Sequence, residues 1–326
     1  MPRSVPSLYT LLAATVLSLG VVPSTVAQDP ARTVSDAVPL APDGEVTVDT
    51  HEGTITVTTW ERNRVRYEAE VMPTDEDPDA EKVTIRARSG DDRLRLATDH
   101  EDGDDESTVF GFDEDGFRWG GINIPAVHYI LTVPRGATLR IDDHESTIDV
   151  TGLAGTLHVD THDGRLSVDE HRGDLILEAH DGTMTASGLE GDATLDTHGS
   201  RMELVDVTGR LSVETHDGTL NAEGLDGGLR FESHDGRASV AFSDLSGSVF
   251  AETHDGNLTL TLPAGAGFVL DTEFTDDVDL RSDIDLRSLR LSDEDEKGPN
   301  YRGSVRGGGP TIQLESSDGD VTLQTR

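Results

Sequence analysis

The chain has 326 residues, no cysteine, 34% hydrophobic and only 4% aromatic residues, and a formal net charge of −38 at neutral pH. The absence of cysteine excludes disulfides and predicts that no lipid-modified cysteine anchors the protein. The acidic balance excludes nucleic acid as a partner, because binding phosphates requires a basic surface. So few aromatic and apolar residues favour a narrow core shared by stacked repeats over one large globular core.

The charged residues are also unusual in kind. All basic residues except Lys82 and Lys297 are arginine. An acid-rich, lysine-poor surface repels itself at low salt, and dissolved cations screen that repulsion over a few ångström. The composition is therefore typical of a halophilic protein, and the alternative is a surface that captures cations or a basic partner.

Residues 1–27 have the pattern of a signal peptide. Arg3 supplies a short basic start, an apolar stretch follows, and small residues precede a cleavage site near Ala27. The apolar stretch is shorter than the roughly 20 residues that a spanning helix needs, and no later segment is apolar enough to span a membrane. We therefore expect an exported bacterial protein in the periplasm, on the outer surface or secreted.

Residues 28–44 contain several prolines and predict a flexible lead-in. Residues 45–126 alternate apolar and polar side chains and predict N-terminal β-strands, interrupted by acidic loops at 72–82 and 99–116. Four aromatic residues in or just after the second loop suggest either a flap that closes one end of the fold or an exposed edge. They are Phe110, Phe112, Phe117 and Trp119.

Residues 127–326 predict regular repeats and a C-terminal cap. An acidic residue, a small residue and a histidine recur six times, and the histidines step by 18, 18, 18, 18 and 20 residues. Asp-Gly follows five of the six, whereas Gly199-Ser200 follows the third. The histidines are His162, His180, His198, His216, His234 and His254, with His144 one step upstream, and the acidic residues are Asp160, Glu178, Asp196, Glu214, Glu232 and Glu252.

Each repeat contains two strands and two corners. Leu157, Val159 and Thr161 alternate with polar residues and so face one side of a strand. Asp-Gly makes the first corner, and a second glycine column with the same spacing makes the second. Fixed periodicity with like residues in every column favours an all-β solenoid of parallel, 18-residue, two-strand coils over an antiparallel meander. His171 stands in an otherwise apolar column of the second corner, and we expect it to be half-exposed.

Three segments resemble one bacterial family of candidate adhesins built from β-strand repeats. They are Glu52-Gly53-Thr54-Ile55-Thr56-Val57-Thr58-Thr59-Trp60; Tyr129-x-Leu131-x-Val133-Pro134-x-Gly136-x-x-Leu139; and residues 307–323, which contain Ser316-Ser317-Asp318-Gly319-Asp320. The resemblance covers residues 45–326. It implies a right-handed parallel β-helix and a surface or envelope role, and it supplies no catalytic residues.

Stacked coils would align the acidic residues in one outward ladder and the histidines in another. The simplest interpretation is structural, with each histidine packed over its Asp-Gly corner. The alternative is a metal site, because imidazoles suit Zn²⁺, Cu²⁺ or Ni²⁺; the twelve ladder residues are then its candidate ligands, and a divalent cation is the one cofactor to consider.

No nucleophile elbow marks a catalytic serine. The sequence therefore predicts a non-catalytic module that adheres to a cell-envelope component, a glycan or another protein surface. A cation-binding or scaffolding module is the alternative, and a glycan-active enzyme is a remote one.

Overall fold

The computed structural model describes residues 30–73, 83–100, 112–113, 116–117, 125–275, 277–286, 289–291 and 300–326. Across these ranges the regular secondary structure is β-strand throughout, with no helix, which confirms the all-β prediction. The signal peptide and most of both acidic loops lie outside the described residues. So do the side chains of the four aromatic residues assigned to a flap or edge.

The described strands number 25, and 23 of them belong to one continuous sheet. They are β1 (Arg32–Pro39), β2 (Glu45–Asp49), β3 (Glu52–Trp60), β4 (Arg64–Val71), β5 (Val83–Ser89), β6 (Arg93–His100), β7 (Phe112–Asp113), β8 (Gly116–Phe117), β9 (Val127–Pro134), β10 (Thr138–Thr151), β11 (Leu157–Asp169), β12 (Leu175–Ala179), β13 (Thr183–Glu190), β14 (Ala193–Thr197), β15 (Arg201–Thr215), β16 (Thr219–Ser233), β17 (Arg237–Asp244), β18 (Val249–Thr253), β19 (Leu258–Leu262), β20 (Phe268–Phe274), β21 (Val278–Ser282), β22 (Arg290–Leu291), β23 (Tyr301–Val305), β24 (Thr311–Ser316) and β25 (Gly319–Thr325).

Parallel pairing between like positions of successive repeats organises the middle of the chain. Leu157 lies opposite Leu175, which lies opposite Ala193, so each step along the stack is one 18-residue period. The second half of β11 pairs with β13 in the same way, also in parallel. This register gives a β-solenoid-like architecture and excludes an antiparallel meander for these repeats.

Alternating burial explains why these segments form strands. In β11, Leu157, Val159 and Thr161 are buried, whereas Asp160 is half-buried and His162 exposed. Leucine, valine and alanine fill the narrow interior, and residues of the same column lie on top of one another. The inward and outward assignment made from the sequence is confirmed.

His171 corrects one expectation. It is only 1% exposed, as buried as Leu153 and Leu189 in the coils before and after it. The prediction of a half-exposed corner residue was wrong because this corner turns its side chain into the apolar interior. Burial lowers the pKa of His171, against the opposing effect of hydrogen bonding to backbone oxygens, including the Asp174 carbonyl oxygen at 3.3 Å.

The second corner brings successive coils together at glycine. Gly191 has φ +143°, and a Cβ on it would lie 2.2 Å from the carbonyl oxygen of Gly173 in the preceding coil. That distance is far inside van der Waals contact. Glycine is therefore required both by the backbone conformation and by the closeness of the coils.

The N-terminal strands join the same stack. Strands β2 and β3 pair in parallel with the two halves of β10, as a further repeat would. Strand β1 pairs antiparallel with β4, from Arg32 opposite Val71 to Pro39 opposite Arg64. About half of the segment expected to be a flexible lead-in, residues 32–39, is therefore an edge strand. An edge strand tolerates proline because it needs fewer ladder hydrogen bonds.

The C-terminal strands are inserted out of sequence order. Strand β24 pairs in parallel with β18 on one side and with β20 on the other. Strand β25 is placed likewise between β19 and β21. The last coil along the chain is therefore the second last in the stack, and β20 and β21 lie beyond it.

Candidate functional site

Two parallel rows of polar side chains run along the first corner of the stack. We call them the histidine ladder and the acidic ladder. The histidine ladder contains His51, His144, His162, His180, His198, His216, His234 and His254. The acidic ladder contains Asp49, Asp142, Asp160, Glu178, Asp196, Glu214, Glu232, Glu252, Glu315 and Glu273.

The imidazole rings of the histidine ladder are stacked face to face. Neighbouring ring centroids are 4.6–5.0 Å apart, and the ring planes differ by 2–15°. This distance equals the spacing of hydrogen-bonded strands, so the backbone register sets it. Because the faces cover one another, the ladder presents ring edges to solvent.

An aspartate next to the histidine orients most of these rings. Nδ1 lies 3.1 Å from a carboxylate oxygen at His162–Asp163, 2.9 Å at His216–Asp217, and 2.7 Å at both His234–Asp235 and His254–Asp255. The fifth such pair, His180 with Asp181, is separated by 3.0 Å. A neutral ring that donates its Nδ1–H to the carboxylate keeps Nε2 as an acceptor, and this arrangement also orients metal-binding histidines.

The acidic ladder places like charges above one another. At the strand spacing of about 4.8 Å, two carboxylates repel by roughly 0.9 kcal/mol in bulk water before salt screening. Burial, followed by the neighbouring carboxylates of Asp49 and Asp160, raises the pKa of Asp142. The ladder is therefore a continuous negative stripe that attracts cations.

A buried column of small polar residues separates the two ladders. Thr215 accepts a hydrogen bond at Oγ1 from the backbone N–H of Gly218 (3.1 Å), and Thr253 does the same for Gly256 (3.0 Å). Asp143 takes this place in an earlier coil and accepts from the Ser146 backbone N–H at 2.7 Å. Burial raises the pKa of Asp143, against the opposing effect of these hydrogen bonds.

An open groove of about 790 Å³ runs along these columns over the later coils. Nine of the twelve candidate ligands from the sequence line it: His180, Asp196, His198, Glu214, His216, Glu232, His234, Glu252 and His254. His162, Asp160 and Glu178 continue the ladders beside it. The structure thus brings all twelve into two adjacent rows.

Sequence reasoning missed one member of the histidine ladder and several of the acidic ladder. His51 stacks on His144 at 4.6 Å, and the signal was present as His51-Glu52-Gly53, which matches the repeated His-acid-Gly corner. Glu315 and Glu273 join the acidic ladder only because the last strands are inserted out of order. No local pattern indicates that insertion.

In the described part of the chain, one group of side chains places three potential metal-ligand atoms near one another. His180, Asp181 and His198 each offer a ligand atom, and these atoms all lie within 4.8 Å of one another. Asp181 was not among the candidate ligands from the sequence. It follows His180 in the chain, and the next corner, after His198, has no aspartate of its own.

The Toastrack model DUF4097 matches residues 44–324, nearly the whole stack of strands. The chain belongs to the Toastrack family. This confirms the family resemblance drawn from the strand motifs. No curated protein matches this Toastrack chain. Among its described residues, no helix has the length and apolar character needed to cross a membrane.

Three solved structures are similar to this Toastrack chain over most of its length. A candidate cell adhesion protein from Clostridium sporogenes is 8% identical, with a TM-score of 0.20, covering 90% of this chain and 100% of that one. A candidate adhesin from Bacteroides fragilis is 13% identical, with a TM-score of 0.32, covering 92% and 99%. A candidate adhesin from Parabacteroides merdae is 11% identical, with a TM-score of 0.23, covering 92% and 98%.

Proposed function

We propose that this Toastrack protein is a non-catalytic, exported binding module that holds an extended polymer of the cell envelope along the groove between its two ladders. The observation that carries the proposal is the groove itself, which follows several coils and repeats the same chemistry at each one. A repeating surface suits a repeating partner better than a small molecule. In the same proposal, the stack is a right-handed parallel β-helix with two-strand coils.

The chemistry of the groove defines the class of partner. Carboxylates accept hydrogen bonds. A histidine whose Nδ1–H donates a hydrogen bond to aspartate also accepts a hydrogen bond at Nε2. The partner must therefore donate hydrogen bonds, and with a net charge of −38 on the chain it is cationic or neutral. A glycan that carries amino groups meets both conditions, whereas an acidic polysaccharide fails the charge condition.

A pair of matched ligands tests this proposal. A glucosamine oligosaccharide has positively charged amino groups, whereas its N-acetylated form carries neutral acetamido groups on the same sugar chain. We expect the mature chain to bind the amino form more tightly in calorimetry, because only that form pairs with the acidic ladder. The difference should shrink as salt is added. Equal affinity for the two, or tighter binding of an acidic polysaccharide, would overturn the proposal.

Matched variants locate the binding surface. Glu214→Gln with Glu232→Gln removes two adjacent charges from the acidic ladder, and we expect about tenfold weaker binding of the amino oligosaccharide. Glu203→Gln with Glu223→Gln removes two exposed charges from another face and is the control. Measuring new reducing ends in the same mixtures tests for catalysis, and their formation would establish an enzyme instead.

Export is the second part of the proposal. The basic start, the apolar stretch and the small residues before Gln28 support cleavage near Ala27. Domain bounds at 45–126 and 127–326 follow the change from interrupted strands to regular repeats. Sequencing the N-terminus of the protein recovered from the producing cell tests the cleavage, and an intact Met1 would contradict it.

Cation binding is a second candidate function. It is favoured by the His–Asp pairs, which hold each ring as the carboxylate–histidine pairs of metal sites do. Titration with Zn²⁺ or Ni²⁺ should then raise the melting temperature, because an ion that binds only the folded chain stabilises it. No shift at millimolar metal would remove this candidate.

A further inference from the structure

We propose that the ladder corner between His180 and His198 binds one transition-metal ion, with His180, Asp181 and His198 as its protein ligands. This site is a specific form of the cation-binding candidate, and it does not depend on glycan binding. In the cation-binding candidate any histidine of the ladder can bind metal, whereas this site lies only at the corner where the repeat is broken. The metal class is Zn²⁺, Cu²⁺ or Ni²⁺.

The break in the repeat leaves room for the carboxylate of Asp181 beside the next corner. Asp-Gly follows each histidine of the six repeats except His198, which is followed by Gly199 and Ser200. A Cβ on Gly199 would lie 2.3 Å from Oδ1 of Asp181. The carboxylate of the preceding coil therefore occupies the space that an aspartate at 199 would fill. Asp181 thus lies against two corners, its own and that of Gly199 in the next coil.

The donor set matches the proposed metals. Oδ2 of Asp181 lies 3.0 Å from Nδ1 of His180, and the rings of His180 and His198 are 4.8 Å apart and within 4° of parallel. Two imidazoles and one carboxylate are typical of zinc sites that keep a fourth position for water. Mg²⁺ and Ca²⁺ prefer oxygen ligands alone, so the two imidazoles disfavour them.

The ligands have to approach one another when the ion binds. Tetrahedral ligands at zinc bond lengths lie about 3.4 Å apart, whereas the present donor atoms lie within 4.8 Å of one another. The side chains of His180 and Asp181 are half-exposed, so their rotation is not restricted by the core. A shift of about 1 Å is within the reach of such side chains.

Other corners lack this arrangement. The carboxylate next to His216 contacts its own ring at 2.9 Å, as Asp181 does, but the following corner has an aspartate of its own, which contacts His234 at 2.7 Å. Ser200 adds a second irregularity, since it is 2% exposed and its Oγ has no hydrogen-bond partner among the described residues. Both features set this corner apart from the rest of the ladder.

Zn²⁺ titration of the full mature chain, followed by calorimetry, tests the site. We expect one tight site in the wild type and at least about tenfold weaker binding in His198→Gln. His234→Gln removes an equivalent imidazole elsewhere in the ladder and should leave the tight site unchanged. Gly199→Asp restores the repeat residue and displaces Asp181 from the shared position, so it should also weaken binding about tenfold.

Gly199→Asp keeps the test valid if His198→Gln destabilises the chain. Gly199 is not in the left-handed region, and aspartate occupies the same place in the other corners, so the variant should fold. Equal losses in His198→Gln and His234→Gln would show binding along the whole ladder and overturn this single site. A wild type that takes up no zinc at millimolar concentration would overturn both the site and the cation-binding candidate.

Discussion

Replacing Gly191 by alanine tests whether the second corner sets the spacing of the coils. The glycine has φ +143°, and an added Cβ would meet the carbonyl oxygen of Gly173 at 2.2 Å. The same two coils are joined by a backbone hydrogen bond, in which the N–H of Gly173 donates to the carbonyl oxygen of Glu190 at 2.8 Å. A methyl group here therefore strains the backbone and also pushes apart two coils that are joined by hydrogen bonds.

The two effects can be given magnitudes. A residue other than glycine in this region of φ costs about 1–3 kcal/mol. Relieving the contact requires the coils to separate by more than about 1 Å, which weakens at least one backbone hydrogen bond worth about 1 kcal/mol. We expect Gly191→Ala to lower the free energy of unfolding by about 2–4 kcal/mol.

Gly265→Ala is the matched control. Gly265 has φ +84°, and a Cβ on it would have no atom within 4 Å, so this variant suffers backbone strain of about 1–2 kcal/mol without a contact. Urea unfolding followed by circular dichroism, at fixed high salt, compares the two variants. If both lose the same stability, the contact between coils contributes nothing and the reasoning is refuted.

Three further predictions concern charge. Burial lowers the pKa of His171 in the folded state. The free energy of unfolding is therefore at its full value above about pH 6.5 and decreases as pH falls through the folded pKa. In thermal unfolding scans, His171→Leu should show a smaller decrease in melting temperature over this acid range. Burial raises the pKa of Asp143 in the folded state. The free energy of unfolding therefore decreases as pH rises from about 3.8, the usual pKa of this group, through the folded pKa. Asp143→Thr keeps the corner acceptor and should be more stable than the wild type at neutral pH by urea unfolding; equal stability would contradict this. Lowering NaCl from molar to millimolar should reduce the wild-type melting temperature, and less so in the variant with Glu214→Gln and Glu232→Gln, because salt screens the acidic ladder.

Much of the repeat could be predicted from the sequence. The alternation of Leu157, Val159 and Thr161 with polar residues is a property of a few neighbouring positions, and strand geometry converts it directly into burial. The ladders also follow from the spacing, because residues 18 apart stack when each coil takes up 18 residues. His171 is the exception, since nothing local distinguishes an inward from an outward corner residue.

The sequence by itself therefore determined the all-β repeat, its period, and the chemistry of its two outward rows. The tertiary structure alone decided the order of the end strands, with β24 inserted beside β18 across 63 residues of chain. It also decided that Asp181 occupies the space left by Gly199. The physical reason is that periodic contacts join positions at one fixed separation, which a single sequence displays. Insertion of a strand and sharing of a side chain depend instead on the shape left by segments distant in the chain.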